Sequence, residues 1–147
     1  MPAITRRTVS QSIAQLIPRI IGGMQPGVLP HHDVTQRQVL VLAAIHSRPH
    51  CTMGAIASNM RISMPTATGI VHRLAEAGYV RRVDDPSDRR QVLVALTAKG
   101  HAFIRQFQAA AAQRWDQVLR SLEPRELEAF YRVVRKLNER LRPPPAS

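Results

Sequence analysis

Asp84-Asp85-Pro86-Ser87-Asp88-Arg89-Arg90-Gln91-Val92-Leu93-Val94-Ala95-Leu96-Thr97-Ala98-Lys99-Gly100 decides the reading of this chain. Asp84–Arg90 combines a proline with acids and arginines, a composition that suits a long exposed tip and not a tight turn. Gln91–Leu96 has strand composition, and Tyr79–Val83 before the tip has it too, with partial alternation. The two runs are expected to pair as a hairpin crowned by Arg89 and Arg90. Thr97 then stands where a helix wants a capping hydroxyl. It opens a long helix with Ile104, Phe107, Ala111, Trp115 and Val118 on one side.

Reading outward toward the N-terminus, Gly78 sits where a helix ends on a left-handed residue. The helix it closes starts at a Ser63 cap, tolerates Pro65 in its first turn, and turns Ala67, Ile70, Val71 and Leu74 inward. Arg61-Ile62 is a turn, and before it Thr52 caps a short helix with Met53, Ile56, Ala57 and Met60 inward. A short helix, a tight turn, a second helix and a basic hairpin describe a winged helix-turn-helix. Further back, Thr35 and Gln38 form a capping-box pattern ahead of Val39, Leu42, Ala43 and Ile45, and Arg48-Pro49-His50 ends that helix. Ile13, Leu16, Ile17, Ile20, Ile21 and Met24 repeat at helical spacing, with Pro18 implying a kink or restart and Gln25–Pro30 a loop. At the other end Pro124 opens a last helix bearing Leu127, Phe130, Tyr131, Val134, Leu137 and Leu141, stopped by Pro143-Pro144-Pro145.

The 147 residues suit one domain with a proper core, and the formal net charge is +11. The charge is uneven: through residue 75 the chain holds one acid, Asp33, against seven arginines. A basic half points to a polyanionic partner, most often nucleic acid. The bland alternative is solubility in an arginine-rich composition, with 19 Arg to two Lys. The longest apolar run, Val39–Ile45, is too short to span a bilayer, so no membrane partner is expected. Arg6-Arg7 is followed by Thr8-Val9-Ser10 where an export signal needs an apolar stretch, and the one cysteine makes no internal disulfide. A cytoplasmic protein is expected.

The element order, together with Asp88-Arg89-Arg90…Leu96-Thr97-Ala98-Lys99-Gly100 and Ser63-Met64-Pro65-Thr66-Ala67-Thr68…Arg73-Leu74…Gly78-Tyr79-Val80-Arg81-Arg82, resembles the MarR family of bacterial transcription regulators over about residues 10–141. The resemblance implies a mainly α fold of six helices plus a two-stranded β-wing. Residues 35–100 would form the winged helix-turn-helix DNA-binding domain, and 1–34 with 101–147 a helical dimerisation region. It implies a homodimer on a pseudo-palindrome of double-stranded DNA, a possible small-molecule effector, and Arg90 as the residue inserted into the minor groove. Three positions depart from the family pattern. Gly69 replaces a larger polar or basic residue, His72 an acid, and Glu123 a Ser or Thr cap ahead of Pro124.

A recognition helix in the major groove offers polar side chains to base edges and phosphates. The candidates are Ser63, Pro65, Thr66, Thr68, His72 and Arg73. Thr66 and Thr68 suit base edges or thymine methyls, Arg73 a guanine or phosphate, and His72 a phosphate. On the wing, Arg89 and Arg90 suit the negative potential of a narrow minor groove, with Asp88 expected to grip the Arg90 guanidinium. The competing reading is a merely solvated helix face and a merely solvated turn. Cys51 at the start of the helix-turn-helix is a redox-sensor candidate by its nearness to a helix N-terminus, and a small buried residue otherwise. His31, His32, Asp33, His46, His50 and Cys51 fit no zinc spacing, and no Gly-rich phosphate loop or nucleophile elbow is present. No metal, cofactor or enzymatic activity is therefore expected. The rival functions are an architectural DNA-binding protein with little sequence preference and a sensor built on Cys51.

Overall fold

This computed structural model describes residues 4–22, 33–48 and 50–141, and for 17–22 the backbone alone. The chain divides into two units at Asp33. Among its described residues the first contains one helix, α1 (Arg6–Gly22), continuous through Pro18, so of the expected kink or restart the restart does not occur. Thr5 Oγ1 accepts the Thr8 amide at 3.2 Å at its start, and Ile13 and Leu16 are exposed. The side chains of Ile17, Ile20 and Ile21, with Met24, the Gln25–Pro30 loop and the final prolines, lie outside the described residues.

The second unit runs α2 (Gln36–His46), β1 (Cys51–Thr52), α3 (Met53–Met60), α4 (Met64–Glu76), β2 (Val80–Asp84), β3 (Val92–Leu96), α5 (Ala98–Leu119) and α6 (Pro124–Leu141). Each helix of the helix-turn-helix starts on the cap expected of it. Thr35 Oγ1 accepts the Gln38 amide while Gln38 Oε1 accepts the Thr35 amide, a complete capping box. Thr52 accepts from the Ala55 amide and Ser63 from the Thr66 amide. Between α3 and α4 the chain turns on Arg61, held left-handed at φ 51°. Gly78, at φ 81°, makes the corresponding turn after α4, where the Tyr79 amide reaches back to the Leu74 carbonyl at 2.9 Å.

The sheet has three strands, not two. β3 is central and antiparallel to both neighbours, with Val80 opposite Leu96 and Asp84 opposite Val92 on one side and Cys51 opposite Val94 on the other. A two-residue strand has no alternation to read, so β1 emerges only from its pairing. The core gathers Val39, Val41, Leu42 and Ile45 of α2, Ile56 of α3, Ala67, Val71 and Leu74 of α4, and Phe103 and Ile104 of α5. Ala43 is exposed, against expectation, whereas Val41 and Ala44 are buried. The reason is that α2 is enclosed by α3, α4, α5 and β3, so its buried face is wider than a single stripe and rotated from the one read. In α5 only the first turns are buried; Phe107 and Ala111 are half-buried, and Trp115 and Val118 are exposed.

Thr97-Ala98-Lys99-Gly100 ties α5 to the end of α4. The Thr97 hydroxyl donates to the Gly78 carbonyl at 2.5 Å and accepts the Gly100 amide at 3.1 Å. The Thr97 amide donates to the Tyr79 carbonyl at 3.0 Å. Lys99 Nζ donates to the Ala77 carbonyl at 2.7 Å and lies 4.4 Å from the centre of the Tyr79 ring, which meets Phe103 edge-on at 5.5 Å. Two residues of this segment, Thr97 and Lys99, thus satisfy the carbonyls of Ala77, Gly78 and Tyr79 just beyond the end of α4, and they tie the start of α5 to the junction of α4 and the hairpin. At the far end of α5, Glu123 stands ahead of Pro124 without a hydroxyl cap; the Glu126 carboxylate accepts its amide at 2.9 Å instead.

Candidate nucleic-acid interface

The inner positions of α4, Ala67, Val71 and Leu74, are fully buried. Helical spacing then sends Pro65, Gly69, His72 and Glu76 to the opposite side, flanked by Thr66, Thr68 and Arg73. All of these are exposed, as is Ser63. Ser63, Pro65, Thr66, Thr68, His72 and Arg73 therefore share one outward surface, as the sequence suggested. The Thr66 hydroxyl already shares a 2.8 Å hydrogen bond with Ser63 Oγ, which fixes its rotamer at the helix start. His72 Nε2 lies 3.3 Å from Glu76 Oε1 one turn on, both largely exposed. An acid thus stands beside the histidine, and this part of the face is less basic than its sequence implied.

The wing tip is folded by its acids. Asp85 Oδ1 accepts the Ser87 amide at 2.8 Å, Asp88 Oδ1 accepts the Arg90 amide at 3.0 Å, and the Gln91 amide closes the turn on the Asp88 carbonyl at 2.9 Å. Asp88 was expected to hold the guanidinium of Arg90, and it holds the backbone amide instead. An aspartate two residues ahead of an amide in a turn satisfies it by ordering one short side chain, whereas gripping the guanidinium would order the long arginine side chain as well. The consequence is a tip whose shape is set while the Arg89 and Arg90 side chains stay exposed.

One participant was not legible in the sequence. A cleft of about 530 Å³ opens between the start of α2, with Thr35, Gln36 and Arg37, and the α4 face at Thr66, Gly69 and Arg73. Arg37 and Arg73 give it positive charge, and amides of the first turn of α2 add partial positive charge. The capping box announced the helix start but not that α4 would lie beside it.

The MarR family profile matches residues 34–92, from just ahead of the Thr35 cap of α2 through the first residue of β3. The transcriptional regulator HosA of Escherichia coli O111:H- is 33% identical over 109 residues, covering 71% of this chain and 78% of HosA. The chain belongs to the MarR family. A second relative, the HTH-type transcriptional regulator TtmR of Methylorubrum extorquens strain PA1, is 37% identical over 73 residues, which span 50% of this chain and 37% of that protein. Among solved structures, BpsR of Bordetella bronchiseptica, whose DNA binding is regulated by 6-hydroxynicotinic acid, superposes with a TM-score of 0.61 at 27% identity, covering 89% of this chain and 98% of BpsR.

The cysteine of this MarR-family chain is 1% exposed, at the start of β1. Burial pushes the Cys51 thiol above its ordinary pKa, and the nearby Arg48 charge offsets only part of that. The folded state thus holds the proton longer than the unfolded one. The stability this confers is complete below the unfolded thiol value, about 8.5, and drains away as pH rises through the folded value. Ionisation of Cys51 is expected to leave the melting temperature independent of pH below the unfolded thiol value and to lower it above, and Cys51→Ala, although less stable throughout from the lost packing, should lack that part of the alkaline decline. Iodoacetamide should label the native protein slowly and the denatured protein fully; fast native labelling would return Cys51 to the list of reactive thiols. Of the groups weighed for a metal, His31 and His32 lie outside the described residues, and no three ligating side chains stand together among the described ones.

Proposed function

We propose that this MarR-family regulator is a repressor that binds a pseudo-palindromic operator in double-stranded DNA as a homodimer and is released by a small-molecule effector. In this reading α4 enters the major groove with Thr66, Thr68, His72 and Arg73, and the wing brings Arg90, supported by Arg89 and the Asp88 turn, to the adjacent minor groove. Ser63 and Pro65 set the helix entry, and the cleft beside Arg37 and Arg73 accepts the phosphate backbone. The work is done in the cytoplasm, by binding and without catalysis.

The observation that carries this is the clamp at Thr97–Gly100. It joins the end of α4 to the root of the hairpin. Two DNA-facing elements are thereby held in one fixed relation, which a groove-reading module needs and a solvated surface does not. The dimer is supported by the exposed apolar face of α6, and the effector by the likeness to BpsR.

The test begins by selecting bound fragments from genomic DNA and competing the best site against random duplex at physiological salt. Arg90→Ala should weaken that site by about 1–3 kcal/mol without shifting the melting curve. Affinity should fall linearly with salt on logarithmic axes, with a slope set by about 6–10 neutralised phosphates. Random DNA competing as well as the selected site would favour an architectural protein instead.

A further inference from the structure

Gly54, Gly69 and Gly100 lie within α3, α4 and α5, and they differ in what a side chain would meet. At Gly100 a Cβ would fall 2.1 Å from the Tyr79 carbonyl oxygen, so the fold itself demands glycine. At Gly69, inside α4, a Cβ would meet nothing within 4 Å. Glycine is the poorest helix residue after proline. Gly69 therefore weakens α4 with no reason inside the molecule. Gly54 also has room, but it lies beside the Thr52 cap in the first turn of α3, where less helix depends on it.

Position adds the reason. Gly69 is the middle of the outward face of α4, opposite Ala67, Val71 and Leu74. Thr66 precedes it by one turn and His72 and Arg73 follow by one turn, all exposed. It also borders the cleft facing Arg37. The result is a bare strip of helix backbone ringed by polar and basic side chains.

We propose that Gly69 is a specificity-determining position at which base edges in the major groove come against the backbone of α4. This rests on the reading of α4 as the recognition helix. A helix with its side chains nearly fills the groove, so the residue at the middle of the inserted face limits how deep the helix sits. Where the family pattern places a larger side chain that makes its own contact, this chain brings bare backbone to the bases, and a methyl group there holds its helix off them. Hydrogen bonds from Thr66 and Arg73 then stretch beyond the reach at which they discriminate one base from another.

The experiment compares wild type, Gly69→Ala and Gly69→Gln for affinity to the selected site, affinity to random duplex, and melting temperature. Gly69→Ala should melt about 2–4 °C higher, because alanine strengthens the helix. It should bind the selected site about tenfold more weakly, with random-duplex affinity changed less than about twofold. Gly69→Gln should lose about a hundredfold on the selected site. A loss of binding in a more stable protein cannot be ascribed to unfolding. Selected-site affinity that is unchanged or raised in Gly69→Ala, or that falls equally on random duplex, overturns the inference. If wild type itself does not discriminate the selected site, the functional reading falls and takes the inference with it; if wild type discriminates and Gly69→Ala matches it, the inference alone falls.

Discussion

Gly100→Ala is expected to lower the melting temperature by about 10 °C, a loss of about 3 kcal/mol. The new Cβ would stand 2.1 Å from the Tyr79 carbonyl oxygen and 3.2 Å from both the Tyr79 carbonyl carbon and Leu96 Cδ2. The overlap is with backbone, which has no rotamer to yield. Tyr79 cannot step aside, because its carbonyl accepts the Thr97 amide, its amide donates to Leu74, and its neighbour Val80 pairs with Leu96. Relief must come from moving α5 off the hairpin, and that opens the contact between Tyr79 and Phe103. The clamp on α4 loosens at the same time, so the surviving folded fraction should also bind DNA more weakly. An unchanged melting curve would show that α5 does not sit against Tyr79. Set beside Gly69→Ala, the same chemical change in two helices of one chain is expected to move stability in opposite directions, because only one of the glycines is hemmed in by the fold.

Phe130→Glu is expected to raise the dissociation constant of the proposed dimer at least about a hundredfold, roughly 3 kcal/mol. None of the residues of α6 is buried. Leu127, Phe130, Tyr131, Val134 and Leu137 nevertheless follow one another at helical spacing, and Tyr131 is 63% and Leu141 79% exposed. Trp115 and Val118 of α5 are exposed as well. Arg132, Arg135, Lys136 and Glu139 supply the polar side of α6. An apolar face of this extent suits burial against another protein surface, and in the proposed dimer a second copy of the same chain would cover it symmetrically. A carboxylate in the middle of such an interface would be stripped of water without a partner. Sedimentation velocity at micromolar concentration should give a dimer for wild type and a monomer for Phe130→Glu, with the melting of the winged module little changed because Phe130 is not in its core. The monomer should also lose the selected operator, since a single module engages only one half-site. A wild-type monomer at that concentration, or a variant that still dimerises, would remove α6 from the interface.

The amino-acid sequence by itself determined the helices of the helix-turn-helix, their starts, the hairpin and the arginines at its tip. Those features rest on physics that acts within a few residues: Thr35, Thr52, Ser63 and Thr97 cap amides three positions ahead, and Gly78 turns left-handed where its own helix ends. The polar outward face of α4 was legible for the same reason, because helical spacing alone separates it from Ala67, Val71 and Leu74. What lay beyond was decided by segments distant in sequence meeting in space. β1 exists because Cys51 and Thr52 pair with Val94 and Leu93. The buried face of α2 rotated to take in Val41 and Ala44 because neighbours enclose that helix. Asp88 turned to the Arg90 amide because the turn offered a nearer donor than a mobile guanidinium. The carbonyls that Thr97 and Lys99 satisfy, the wall that makes Gly100 necessary and the open space that makes Gly69 unexplained are all supplied by residues far along the chain or by none. A residue's spacing tells which way it points on its own helix; only the packed chain tells what stands there to meet it.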